Sequence, residues 1–248
     1  MLGCDDVVRR KKRRQRATIS RTEAVRRLER MVEQIELDLK TALWAEAVLE
    51  AANDLVVGEP NREYPGADAY NTIRESLAVN LPLSLSRLFD NGFKSTRPNN
   101  KDLASIPLAI NLLKQKRCRR VFVERARGWM PPSMGMADIN AEGCEESIDL
   151  AVSKFSSFRN SSAGRRADQC LRDVRNFQIA HSMFDDKNHE KPMYSDLFSL
   201  TDIAIDIVQP IKLAVQGDNM ALDDLEEDYR EIADTFWRFA LNFDAMRD

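Results

Sequence analysis

The chain has 248 residues, enough for one large or two small domains with a substantial core, and its 43% hydrophobic and 31% charged content is that of an ordinary globular protein. No apolar run approaches the roughly 20 residues that cross a bilayer, and the basic N-terminus is followed by no apolar segment of a secretion signal, so membrane and exported classes are set aside. Four scattered cysteines (Cys4, Cys118, Cys144, Cys170) form no C-x-x-C pair, which argues against a zinc site or a disulfide framework and for reduced thiols in the cytoplasm.

The net charge of −3 hides a lopsided distribution. Residues 7–16, VVRRKKRRQR, are cationic, while LDDLEEDYREIAD near the other end is acidic. Arg9, Arg10, Lys11, Lys12, Arg13, Arg14 and Arg16 suit salt-dependent contact with nucleic-acid phosphates. No aromatic residue interleaves them, so the run can anchor a strand but cannot read its bases. A solvated tail over residues 1–19 is the plainer alternative. Asp223, Asp224, Glu226, Glu227 and Asp228 read as a solvated helix face.

Ser20-Arg21-Thr22-Glu23 is a capping box, and Val25, Leu28, Val32, Ile35, Leu39, Ala42, Leu49 and Val56 follow it close to a heptad rhythm. Glu46 and Asn53 interrupt that rhythm, which favours a bundle helix over a free coiled coil. GEPNREYPG, residues 58–66, is a loop signal. Tyr70, Ile73, Leu77, Leu81, Leu85 and Leu88 then mark a second helix, kinked at Pro82 and closed by Asp90-Asn91-Gly92. SIPLAINLLKQK is a shorter third helix. Residues 118–142, with GWMPPSMG, read as an irregular loop or insertion. GCEESIDLAVSKF and GRRADQCLRDVRNFQIAHS are the fourth and fifth helices. A polar FDDKNHEKP loop precedes two more, at roughly 195–216 and 222–244. The expectation is an all-α bundle of about seven helices.

The common catalytic signatures are missing. There is no G-x-x-x-x-G-K-[ST], G-x-G-x-x-G or H-E-x-x-H, and two histidines with unspaced cysteines make no conventional metal site. What chemistry the chain has must come from side chains alone.

One stretch stands apart. In LRDVRNFQIAHS, residues 171–182, His181 falls near the middle of an apolar stripe formed by Ala167, Cys170, Leu171, Val174 and Phe177. Arg175 lies at the stripe's margin, about 9 Å of axial rise and about 120° from His181 on an ideal helix. Arg172 and Asn176 lie further out. A long arginine can curl over that gap, or two copies can face each other across a dimer cleft. Imidazole can move the protons of a transesterification, and guanidinium can hold phosphorane charge with its planar fork. His189, in a charged loop, has no such arginine. On spacing alone, a core histidine that follows an arginine reads the same way.

Arg175-Asn176-x-x-x-x-His181 resembles the signature of the HEPN superfamily, Arg-x(4–6)-His with a polar residue after the arginine. LSLSRLFDNG (83–92), SIPLAINLLK (105–114) and LRDVRNFQIAHS follow one another as in the AbiU-type abortive-infection branch, a likeness over roughly residues 25–185. The resemblance implies a HEPN-like helical domain over residues 20–248, forming a homodimer whose two motifs meet at a shared cleft. It further implies metal-independent endoribonuclease activity, without cofactor, in phage defence or a toxin–antitoxin pair, with RNA as substrate and an antitoxin as a neutralising partner. On that reading Arg175 and His181 are the catalytic pair, Asn176 and Arg172 support them, and Arg87 and Asp90 support the site or the fold. Two other classes fit the same residues: an inactive HEPN-type RNA-binding or dimerisation module, and a helical nucleic-acid-binding regulator that uses residues 9–16.

Overall fold

The computed structural model describes residues 19–58, 66–91, 103–173, 193–219 and 221–241, and among them no strand occurs. In chain order the helices are α1 (Arg21–Gly58), α2 (Ala67–Leu88), α3 (Ile106–Leu113), α4 (Lys116–Ala126), α5 (Ala137–Asn160), α6 (Ser162–Asp173), α7 (Tyr194–Gln216) and α8 (Leu222–Ala240), with a 3-10 turn at Pro132–Met134. The protein is all-α, with eight α-helices among the described residues where about seven were expected.

Helix α1 is the spine. Ser20 Oγ accepts the Glu23 backbone N–H at 3.1 Å, so the capping serine works as its position suggests. The reciprocal half of the box is not what the Glu23 side chain does; it takes the Arg27 guanidinium at 2.7 Å one turn on. Thirty-eight residues carry α1 about 57 Å. Along that length Val25, Leu28, Val32, Ile35 and Leu39 are buried against the main core. Helices α2, α7 and α8 pack along α1, while α5 packs on α7 and α4. Pro82 sits inside α2 without ending it, and the helix stops at Leu88, just before the expected Asp90-Asn91 stop.

A smaller cluster closes the far end of α1. Ala47, Ala51 and Leu55 meet Tyr70 of α2 and Ala233 and Trp237 of α8. Trp237 Nε1 donates to the Val48 carbonyl at 2.9 Å, and Trp44 stacks on Tyr229 at 3.9 Å between ring centroids. The acidic start of α8 faces outward as expected, with Asp224, Glu227 and Asp228 exposed.

The segment 118–142 is not a loop. It holds most of α4, and α5 begins six residues before the expected Gly143. Cys118, Phe122 and Ala126 recur every fourth residue and are buried, which is all a short helix needs when a core is already present. Arg117, Arg119, Arg120, Arg125 and Arg127 surround that narrow stripe and mask it in the sequence. Several are in ion pairs: Arg119 with Glu145 and Asp149 of α5, Arg125 with Glu29 of α1, and Arg127 with Asp138. Only 127–136, with Pro131-Pro132, interrupts the helical path.

Candidate functional site

The described chain reaches Asp173, at the end of α6. Arg175, Asn176 and His181 lie outside the described residues, as do His189, the cationic residues 9–16 and most of the two polar loops. What can be built upward is the frame that delivers the chain to that motif.

Helix α6 starts with a tight corner. Ser161 Oγ accepts the Gly164 backbone N–H at 2.8 Å and donates to the Phe158 carbonyl at 2.7 Å, binding the end of α5 to the first turn of α6. Gly164 has to be glycine: a Cβ there would stand 2.0 Å from the Phe158 carbonyl oxygen. At the other end, the buried Ser86 hydroxyl of α2 donates to the Leu171 carbonyl at 3.3 Å. Leu171 is buried, whereas Arg172 is exposed and Asp173 accepts two bonds from Gln169 at 2.8 and 3.0 Å.

Arg87 and Asp90 do come together, but on the α1 side of α2. With Gln34, Asp38, Leu103 and Ala104 they line a groove of about 310 Å³. Arg87 Nη1 stands 3.5 Å from Oδ1 of the buried Asp38, a long pairing, and the Asp90 carbonyl accepts the Ser105 hydroxyl at 2.7 Å. Arg172 does not line that groove. Ser86 and Arg87 are neighbours in sequence with opposite tasks, one tied to α6 and one to α1. Sequence reasoning had no signal for Ser86, because a serine on an apolar helix looks like any other small core residue.

The other reactive groups are poor candidates. Burial pushes the Cys144 thiol up to about 11 and raises Cys118 and Cys170 as well, so none of the three is a thiolate near neutrality. Among the described residues no group of three or more His, Cys, Asp and Glu side chains could hold a metal ion. Among the described residues the Glu46 carboxyl is held near neutrality, pushed up to about 7 chiefly by burial and further by the charges of Glu50, Asp202 and Glu226. It lies on α1, with one oxygen, Oε2, unpartnered.

The family profile HEPN_AbiU2, described as AbiU2, matches residues 22–236. No curated protein and no solved structure matches the chain. Among the described residues no helix is long and apolar enough to cross a membrane.

Proposed function

Because the chain belongs to the AbiU2 family of HEPN domains, an abortive-infection family, we propose that it is an endoribonuclease that cuts RNA without a metal, as the toxic or abortive component of a phage-defence system. The observation that carries this reading is that Arg175 and His181, with five residues between them and Asn176 next to the arginine, fall inside the matched span.

The chemistry follows from the two side chains. An imidazole can take the 2′-hydroxyl proton or deliver one to the leaving oxygen. The 2′-oxygen attacks phosphorus, the P–O5′ bond breaks, and the products are a 2′,3′-cyclic phosphate and a 5′-hydroxyl. Charge gathers on the non-bridging oxygens as this happens, and the planar guanidinium of Arg175 offers them a two-pronged hydrogen bond. Asn176 and Arg172 support the pair. In this proposal two copies of the chain pair their motifs across a homodimer cleft, so that one histidine serves as base and the other as acid, and a neutralising antitoxin protein holds the dimer in check.

The test is cleavage of single-stranded RNA by the purified protein in excess EDTA. Persistent cleavage with 2′,3′-cyclic phosphate ends supports the proposal. Activity abolished by chelation and restored by a divalent ion contradicts it. Sedimentation supplies a second check: a dimer at micromolar concentration supports the shared cleft, and a monomer alone argues against it.

A further inference from the structure

We infer that the cleft between α3, the end of α5 and the start of α6 is a docking track for the phosphodiester backbone of single-stranded RNA, with Lys114, Arg159 and Arg165 as its phosphate ligands. The inference deepens the ribonuclease reading and rests on it for the identity of the strand.

The first observation is shape. A recess of about 70 Å³, bounded by Phe89, Phe158, Gly164 and Leu171, opens into a groove of about 470 Å³ that runs past Asn111 and Asn160 to Lys114. The two share Asn91, Pro107, Phe155 and Arg159, so they form one continuous cleft. A groove of this size admits one strand's backbone. Leu171 lies in its wall, four residues before Arg175 in the chain.

The second observation is charge. Among the described residues not one acidic side chain lines either part of the cleft, although the chain as a whole carries a net charge of −3. Elsewhere five surface cations, Arg119, Arg125, Arg127, Lys154 and Arg230, each sit on a carboxylate. The cleft's three cations have no carboxylate partner among the described residues. Arg159 lies over the Phe155 ring, 5.8 Å from its centroid, and donates Nη1 to Asn91 Oδ1, while Arg165 Nη1 donates to the Asn160 carbonyl at 3.0 Å. Neutral partners position these guanidiniums without cancelling them. That is the arrangement of an anion site: oriented donors, uncompensated positive charge, and amide side chains around them.

The third observation decides what part of the strand is held. Phe155 is buried under Arg159, and Phe158 is packed on Phe89 at 5.2 Å. Among the described residues the cleft's rings, Phe89, Phe155 and Phe158, are buried or half-buried in the wall, so the cleft holds backbone and positions the strand without reading its sequence.

The experiment measures binding apart from cleavage, with a 2′-O-methyl oligoribonucleotide whose blocked 2′-oxygen cannot attack. The double variant Lys114→Gln/Arg165→Gln and the triple variant with Arg159→Gln are compared with wild type by fluorescence anisotropy across a salt series. All three cations are exposed, so the variants keep the fold, which circular dichroism and thermal melting check. Every phosphate left without its cation takes about 0.7 from the slope of log K against log salt. By the same rule the double variant should fall by about 1.4 and the triple by about 2, with at least tenfold weaker binding at low salt whatever the oligonucleotide sequence. A charge-matched control, Arg26→Gln/Arg120→Gln/Arg166→Gln, removes three exposed cations outside the cleft and should bind as wild type does. Wild-type slope and affinity in the double and triple variants, or an equal loss in the control, overturns the cleft while leaving the ribonuclease reading standing. Slope loss in a protein that never cuts RNA keeps the cleft and overturns the ribonuclease. A wild type that fails to bind the oligonucleotide overturns both.

Discussion

The Ser86 hydroxyl donates to the Leu171 carbonyl at 3.3 Å, so residues 85 positions apart in sequence fix where the last turn of α6 points. Both residues are buried, and the chain that leaves this turn carries Arg175 and His181. Ser86→Ala strands a buried acceptor and should lower stability by about 1–3 kcal/mol. Denaturant unfolding should show a lower midpoint with an unchanged m-value, and amide exchange should rise in the last turn of α6. An unchanged midpoint would mean that the bond contributes nothing net.

Gly164→Ala should be worse than its one added methyl suggests. The new Cβ would meet backbone rather than a yielding side chain, 2.0 Å from the Phe158 carbonyl oxygen. Relief requires α6 to move away from α5, at a cost of about 1–3 kcal/mol. The thermal midpoint should fall, and the phosphate cleft, which Gly164 and Arg165 line together, should lose RNA affinity with it. A variant as stable as wild type would show that the corner is less tight than described.

Glu46 predicts a pH dependence with a definite sign. Its pKa is raised from 4.5 to about 7 by burial, so the folded protein keeps a proton that the unfolded chain has released. Stability from this group is therefore fully present below about pH 4.5, falls by up to about 1.4 kcal/mol per pH unit toward pH 7, and levels off above. Arg230 of α8 pairs with Glu50 nearby and offsets part of the local negative charge. Glu46→Gln cannot ionise. It should match wild type near pH 4.5 and be the more stable protein at pH 8, with a flatter profile between. A variant profile that tracks wild type across this window would assign the pH dependence elsewhere.

How far the sequence could be read depends on where each signal lies. The start of α1 was legible because Ser20 and Glu23 act within one turn, and its core stripe because Val25 to Leu39 repeat in register. Helix α4 was not, since Cys118, Phe122 and Ala126 make a stripe one residue wide inside an arginine-rich segment. Its helicity is decided by the core it packs on. The phosphate cleft was illegible for a different reason. Lys114 and Arg159 are 45 positions apart, and only the packing of α3 against α5 brings them to one groove. Arg175 and His181 were visible only as a spaced motif, and they lie outside the described residues. Arg87 and Asp90, three positions apart, share a groove, but with α1 rather than with α6.

Removing residues 1–18 separates the tail from the cleft. If the cations of residues 9–16 touch RNA, the truncated protein should bind with a smaller salt slope while cleavage by the Arg175/His181 pair persists. An unchanged slope identifies the run as a solvated tail. Because the cleft lies on α3, α5 and α6, its contribution should survive truncation in full.

The most direct measurement of the central claim is RNA cleavage by single-residue variants of the motif, assayed in EDTA on protein shown to be folded. His181→Ala should lose on the order of 100-fold or more, the scale of a removed proton-transfer group. Arg175→Ala should be as inactive, and Arg175→Lys should fail to rescue it, because an ammonium cannot reproduce the planar fork. His189→Ala should cut as wild type does. Loss in the first three with the fourth intact is the result this account predicts. Full activity in a folded His181→Ala protein would contradict it.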